Sequence, residues 1–589
     1  MNFLKNVLAT IVGLIVFSFV SFFLLIIVSM AFSAGTSENV AVKNNSVIDL
    51  DLEKVYNDYG GKVYIEDFQY REVNKNGLVN VLNAIEYAKT DDNIKGITLF
   101  NIKTSLGITQ LREVREKLDE FKKTGKFVVA YSDNYTQGEY YVSSVADTVY
   151  VNPVGGFDFK GLASEILYMK ELQQKTGVKM EVIRHGKYKS AVEPYLEQHM
   201  SPENREQITV LLNSIWDTYV TDIAATRKIP VDTLNAIANN LAARTPELAK
   251  EHKLVDKVAY VDQFSNGIRK ALGVDYDKEY NEISILDYVK ATDGKMKLSK
   301  AKDRIAVVYA QGEIRGGEGS VDVIGEGSVN RALFEARNDD NVKAVVLRVN
   351  SPGGSALTSD LILREIELTK KVKPVIVSMG AMAASGGYYI SSKADYIFAE
   401  PGTITGSIGV FGMLPNFEEV ATKFGVNAEQ VKTHENSVSY SPFKKLDPKM
   451  RGLILEDIER VYTTFVNHVA AGRKMTYEQV DAIGQGRVWT GKMAKEIGLV
   501  DELGGLDQAI AYAAKKAEIK DYRLVSYPEY EIKLEDLFRK FLGISIKETQ
   551  DELIAEKIGY DNYEMLQRMN YLKQTEGIQA LLPYQIIIR

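Results

Sequence analysis

The chain has 589 residues, 45% hydrophobic and 26% charged, with 72 basic against 79 acidic side chains (net charge −7) and no cysteine. At about 150 residues per domain the length predicts about four domains, and the ordinary apolar content with a small net charge excludes intrinsic disorder. The missing cysteine excludes thiol nucleophiles, disulfides, Fe–S clusters and Cys-ligated zinc. A mildly acidic balance argues against nucleic-acid binding, which needs a clustered basic face.

The first element is apolar. Val7 to Phe32 holds no charged residue, and a helix needs about 20 such residues to span a bilayer. Lys5 and the N-terminal amine precede the run, and Glu38 is the first charge after it. The positive-inside rule then predicts residues 1–6 in the cytoplasm, a transmembrane anchor over 7–33, and the rest of the chain outside. A cleaved signal peptide is the alternative. Its apolar region is usually about 7–15 residues long, shorter than this one, and Ala31-Phe32-Ser33 is a poor cleavage site.

The body of the chain is an internal repeat. Residues 91–100 (DDNIKGITLF) match 339–348 (DDNVKAVVLR), and 138–153 (GEYYVSSVADTVYVNP) match 386–401 (GGYYISSKADYIFAEP), both at an offset of 248. Two matched segments with the spacing between them preserved point to a tandem duplication. Further on, Ser201–Arg205 answers Asp447–Arg451, and Leu254-Val255-Asp256 answers Leu499-Val500-Asp501, with the offset slipping to 246 and 245. In the second copy, Ile305–Tyr309, Ala344–Val349 and Pro374–Ser378 read as buried strands, and Ser359–Lys371 reads as a helix. That alternation predicts βαβ units and a largely parallel sheet. The expected repeats span 47–295 and 303–520, with a lysine-rich boundary near Ala291–Arg304. Residues 521–589 form a charged extension, helical in pattern over Leu534–Phe541 and apolar over Ile578–Ile588, in which no chemistry is legible.

Without cysteine, covalent catalysis falls to Ser, Thr, Lys, Asp or Glu. His185, His199, His252, His434 and His468 show no metal-ligand spacing. A Ser-His-Asp triad is possible by number, but nothing favours one histidine. Two segments of the second copy stand out. Asn350-Ser351-Pro352-Gly353-Gly354-Ser355 joins a strand to a helix, where backbone N–H groups can face an anion. Ala383-Ala384-Ser385-Gly386-Gly387 puts a serine at a helix start. Taken alone, the first is a turn and the second a packing element. The duplication shifts that balance, because Gln137 faces Ser385 and Ser105-Leu106 face Gly353-Gly354 in the other copy. A fold requirement would apply to both copies. A lysine is the alternative base, and Lys189 in Lys187–Pro194 has no lysine opposite it in His434–Ser441. Such a base must be neutral near pH 7, about three units below its ordinary value, which demands burial or a cationic neighbour.

The motifs MAASGGYYIS, NSPGGS, TGSIGVFG and KYKSAVEP, together with the repeat from about residue 47 to about 520, resemble the signal peptide peptidase A family, also called protease IV, in its long, duplicated, membrane-anchored form. The resemblance implies an α/β fold: a tandem duplication of a Clp protease/crotonase-like domain preceded by one transmembrane helix. It implies a serine endopeptidase with Ser385 as nucleophile and Lys189 as general base. Ser407 would hydrogen-bond the lysine, and the N–H groups of Gly354 and Gly386 would form the oxyanion hole. No metal, cofactor or nucleic acid is implied. The implied partners are peptides, the apolar remnants of cleaved signal peptides, with a homotetramer as the assembly. The implied location is the inner (cytoplasmic) membrane, single-pass, with the catalytic part facing the periplasm. Two other readings stay open: a crotonase-like acyl-thioester enzyme, which leaves Lys189 unexplained, and a catalytically inactive membrane scaffold, which leaves the intact motifs unexplained.

Overall fold

Two parallel sheets with the same strand order form the centre of the protein, which is described here by a computed structural model covering residues 10–21, 41–65, 70–296, 301–531 and 579–581. In the first sheet the order is Lys257–Val258, Thr148–Phe157, Phe127–Tyr135, Ile94–Phe100, Ser46–Asp49 and Asn281–Ser284. The second answers it with Glu502–Leu503, Tyr396–Ala399, Val375–Ala384, Val342–Ser351, Arg304–Gln311 and Arg523–Tyr527. Every pairing within these two series is parallel. Their β-branched runs are buried on both faces, as a sheet covered by helices requires.

The duplication therefore extends to topology, and it reaches beyond the sequence match. Asn281–Ser284 and Arg523–Tyr527 are equivalent edge strands. The second lies past residue 520, where sequence similarity fades, because an edge strand needs only backbone pairing and one apolar face. The three expected strands of the second copy are present but longer, and the helix begins earlier, at Ala356, where the Ser355 side chain accepts a hydrogen bond from Thr358 N–H. Each copy also carries a 26-residue helix, Pro202–Arg227 and Pro448–Arg473. Both start with proline at the first turn after a capping Ser201 or Asp447, and both end on a lysine in the left-handed region.

The copies interlock. Lys179–Arg184 of the first copy runs antiparallel along Phe411–Asn416 of the second, with Arg184 opposite Phe411 and Lys179 opposite Asn416. These strands close a third, mixed sheet in the order Val323–Ile324, Glu313–Ile314, Gly353–Ser355, Gln579–Leu581, Phe411–Asn416, Lys179–Arg184. Leu211 and Ile215 of the first copy share a core with Ala384, Ile404 and Val488 of the second. A buried ion pair adds to this contact. Arg348, 2% exposed, donates to Asp58 (2.7 Å) and Glu113 (2.8 Å) of the first copy and to the Ser378 hydroxyl (2.9 Å).

Residues 10–21, part of the anchor expected over 7–33, are helical and mostly exposed, and the rest of that stretch lies outside the described residues. No helix among the described residues is long and apolar enough to cross a membrane. The helical pattern at Leu534–Phe541 also lies outside them.

Removing one partner from a buried ion pair strands the other charges without solvent, a loss of about 3–5 kcal/mol. Arg348→Met is accordingly expected to lower the unfolding free energy by that amount, read as a lower urea midpoint at unchanged m, through the now unpaired Asp58 and Glu113. An unchanged midpoint would mean that this pair does not hold the copies together.

Candidate active site

Ser385 sits where the Val375–Ala384 strand turns into the short helix Gly386–Ser391. Its backbone is at φ 55°, ψ −113°, a region that side-chain-bearing residues rarely adopt. The turn is held from both sides, because Ser385 N–H donates to the Gly406 carbonyl (2.8 Å) and Tyr389 N–H donates to the Ser385 carbonyl (2.8 Å). Such a turn lifts the hydroxyl off the strand end, and the small residues let neighbours close over it, so that Ser385 is fully buried.

Lys189 reaches this hydroxyl from the other copy. Its Nζ lies 2.9 Å from Ser385 Oγ, 3.0 Å from Ser407 Oγ and 3.3 Å from the Ser407 carbonyl. The lysine is 1% exposed, and among the described residues no carboxylate pairs with its amine. Burial alone pushes its pKa from the ordinary lysine range down to about 7. A neutral amine has two hydrogens and one lone pair. If the hydrogens go to the two Ser407 oxygens, the lone pair is left facing Ser385. The Phe411 ring adds an apolar neighbour, 5.9 Å from Nζ.

The lysine is placed by the strand exchange and by one glycine. After Lys179–Arg184 the chain turns, and Tyr188 N–H donates to the Gln485 carbonyl (3.0 Å). Gly486, at φ 84°, follows, and a Cβ there would lie 2.6 Å from both Cβ and N of Lys189. Only glycine permits that approach. Ser407, at φ 50°, is fixed by its N–H to the Arg487 carbonyl (2.7 Å), so the same loop positions both partners of the amine.

Gly354 and Gly386 are both buried beside this dyad. Gly386 is the first residue of its helix, so its N–H has no carbonyl partner within that helix. Gly354 lies in the strand opposite Ile314, and a Cβ there would meet the Ile314 carbonyl oxygen at 2.0 Å. Gly387 is equally confined, with a Cβ reaching 2.9 Å from the Ser351 carbonyl oxygen. The NSPGGS loop and the serine helix are thus packed directly on each other. Of the five residues singled out by the sequence, Lys189, Ser385 and Ser407 are in hydrogen-bonding contact, and the two glycines are packed around them.

The first copy has closed the equivalent place. Gln137, matching Ser385, accepts from the N–H groups of Lys160 (3.0 Å) and Gly161 (3.1 Å) and donates to the Gly161 carbonyl (3.1 Å). A side chain with a structural task stands where the second copy has a hydroxyl. His185 pairs with Glu459 and His468 with Asp360, so neither is engaged with Ser385. Among the described residues no cluster of His, Asp and Glu could hold a metal ion.

Sequence reasoning missed Gly486 and Gln485, which hold the lysine loop. Gly486 lies outside every motif quoted above, and its role depends on a contact some 300 residues away in the chain, which no local pattern displays.

The family model described as "Peptidase family S49" matches residues 120–275 and 367–520, together more than half of the chain. The chain is 37% identical over 509 residues to "Protease 4" of Haemophilus influenzae, covering 84% of this chain and 82% of that one. It is 40% identical over 466 residues to "Protease 4" of Salmonella typhi, covering 77% and 74%. It is 32% identical over 502 residues to "Serine protease SPPA, chloroplastic" of Arabidopsis thaliana, covering 84% and 72%. The chain belongs to peptidase family S49, with the protease IV and SppA proteins, and is a serine endopeptidase that acts on peptide substrates.

Proposed function

We propose that this serine endopeptidase works by a Ser385/Lys189 dyad and degrades the apolar remnants of cleaved signal peptides at the inner membrane, anchored by residues 7–33, with its catalytic part facing the periplasm. The observation that carries the dyad is a buried amine, without a counter-ion among the described residues, 2.9 Å from a serine hydroxyl.

The chemistry follows from that pair. Neutral Lys189 takes the Ser385 proton as Oγ attacks the peptide carbonyl carbon. The carbonyl oxygen becomes an oxyanion and is met by the N–H groups of Gly354 and Gly386. As the C–N bond breaks, the Lys189 ammonium gives its proton to the leaving amine, and the neutral lysine remains. It then deprotonates a water that attacks the acyl-serine, and the returned proton restores the Ser385 hydroxyl. Ser407 keeps the amine oriented through both steps.

Substrate class is supported by what borders the site. Gly353–Ser355 and Phe411–Asn416 stand one strand apart in the third sheet, a spacing that suits an extended peptide hydrogen-bonded on both sides. Beside Phe411, Val182 and Val192 form an apolar cluster with Met180, Tyr195, Leu196 and Met413, which suits apolar side chains. The signal-peptide assignment and the membrane location rest on the uncharged run of residues 7–32 and on the motif resemblance. A homotetramer belongs to the same proposal.

Ser385→Ala and Lys189→Ala are each expected to lose at least about 10⁴-fold in kcat and to fail to react with a serine-directed acylating probe applied to membranes. Wild-type labelling and peptide cleavage in both variants would remove the dyad. With Lys189 pushed down to about 7, its neutral, active form predominates above that pH. The profile of kcat/KM should therefore fall about tenfold per pH unit below the lysine pKa and be flat above it. Lys189→Arg, which cannot deprotonate, should be inactive across the range. Gly486→Ala, which forces the Lys189 backbone away, is expected to cost about 100-fold in kcat with little change in KM. An unchanged kcat would show that the lysine does not depend on that glycine.

A further inference from the structure

We propose that Tyr462 and Asp481 are positioning residues for the base: together they clamp the loop that seats Lys189, and the clamp keeps that amine closed off from water. This rests on the Ser385/Lys189 reading above and adds what holds the lysine in place. Tyr462 lies on the Pro448–Arg473 helix and Asp481 on the helix Tyr477–Ile483. The buried Tyr462 hydroxyl donates to Asp481 and accepts from the Gln485 N–H (3.3 Å). The Gln485 side chain closes the ring by donating from Nε2 to the other oxygen of Asp481 (3.1 Å). Gln485 passes this hold to the lysine arm, since its carbonyl accepts from Tyr188 N–H and the next residue, Gly486, packs on Lys189. On another side of the clamp His185, four residues before the lysine, stacks on the Tyr462 ring at 3.8 Å and pairs with Glu459 (2.8 Å).

Two observations separate this contact from ordinary packing. First, Gln485 stands at φ 54°, which residues with a side chain rarely adopt, and Gly486 follows at φ 84°. Such a loop persists only where its surroundings hold it, and both the N–H and the side-chain amide of Gln485 end on the clamp. Second, the first copy has the same contact with different chemistry. At the offset of 246, Trp216 answers Tyr462 and Asn235 answers Asp481, and Trp216 Nε1 donates to Asn235 (2.8 Å). An indole N–H can only donate. A tyrosine hydroxyl donates and accepts at once, and its acceptor side is what takes the Gln485 N–H. The copy that receives the lysine therefore carries the residue able to hold its loop. Burial and the Asp481 carboxylate push the Tyr462 pKa up, so the hydroxyl keeps its proton and can donate it. Loosening the loop would admit water beside Lys189, and an amine that regains solvent regains its proton.

The test compares the full-chain enzyme with Tyr462→Phe, which keeps the ring and loses the hydroxyl, and with Asp481→Asn. Active sites are counted with a serine-directed acylating probe, so that misfolded protein does not enter kcat. In both variants the acid limb of kcat/KM is expected to move up by about one pH unit, and kcat at about pH 6 to fall about tenfold, with KM unchanged. The double variant should shift no further than the larger single effect, because both residues act through one loop. Asn235→Ala, which breaks the matching contact of the first copy, should leave the limb in place. Hydrogen exchange at 185–189 is expected to speed up by at least about tenfold in Tyr462→Phe. An acid limb that stays where the wild type has it, an equal move in Asn235→Ala, or unchanged exchange at 185–189 overturns the proposal. A wild type with no acid limb would strike the dyad reading instead, and the exchange comparison would still decide this one.

Discussion

The proposed dyad depends on one constraint: an amine must be kept from water and from every carboxylate at the same time. A lysine in solution is protonated near neutrality and useless as a base. Burial without a counter-ion reverses that, and the partners of the Lys189 amine among the described residues are neutral: two serines, a backbone carbonyl and an aromatic ring. One acidic side chain in place of any of them would restore the charge. The surrounding fold can be read as the apparatus that excludes such a group, with glycines at 409 and 486 closing around the lysine where larger residues would force it outward.

Duplication explains how that environment was built. A single α/β unit offers a strand-to-helix turn for a nucleophile but no wall on its open side. A second copy, bound through the Lys179–Arg184 strand and the Arg348 ion pair, supplies the wall together with Lys189, the proposed base. Arg348 stands where the first copy has Phe100, and Ser385 where it has Gln137. The two sheets kept the same strand order while these positions diverged, which separates what the fold needs from what the site and the interface need.

Much of this was legible in the chain. The offset of 248 residues exposed the duplication, and the βαβ rhythm of the second copy predicted its parallel sheet. Ser385 stood out because its copy lacked it. Lys189 did not stand out by itself, since an exposed lysine and a buried one look alike in sequence, and only the family motif singled it out. The edge strands Asn281–Ser284 and Arg523–Tyr527 were hidden because strands this short carry little periodicity. The Asp58–Arg348–Glu113 contact was hidden for a different reason. Arg348 lies within a run that reads as a buried strand, but its two partners lie 290 and 235 residues away in the chain, a contact that only packing between copies creates. The segment at 579–581 looked like assembly surface, because its apolar character shows only that something covers it.

The division of the proposed dyad between copies has a bearing on biosynthesis. During translation the lysine is made almost 200 residues before the serine, and the loop that orients both is made later still, at Gln485–Arg487. A ribosome-bound or half-folded chain has no assembled dyad: first a lysine with no pocket to desolvate it, later a serine with no base. On that dyad, hydrolytic power would be acquired only when the last third of the protein has docked on the first. Proteolysis would thereby be withheld from the chain's own unfolded neighbours and nascent segments during the interval in which they are most exposed.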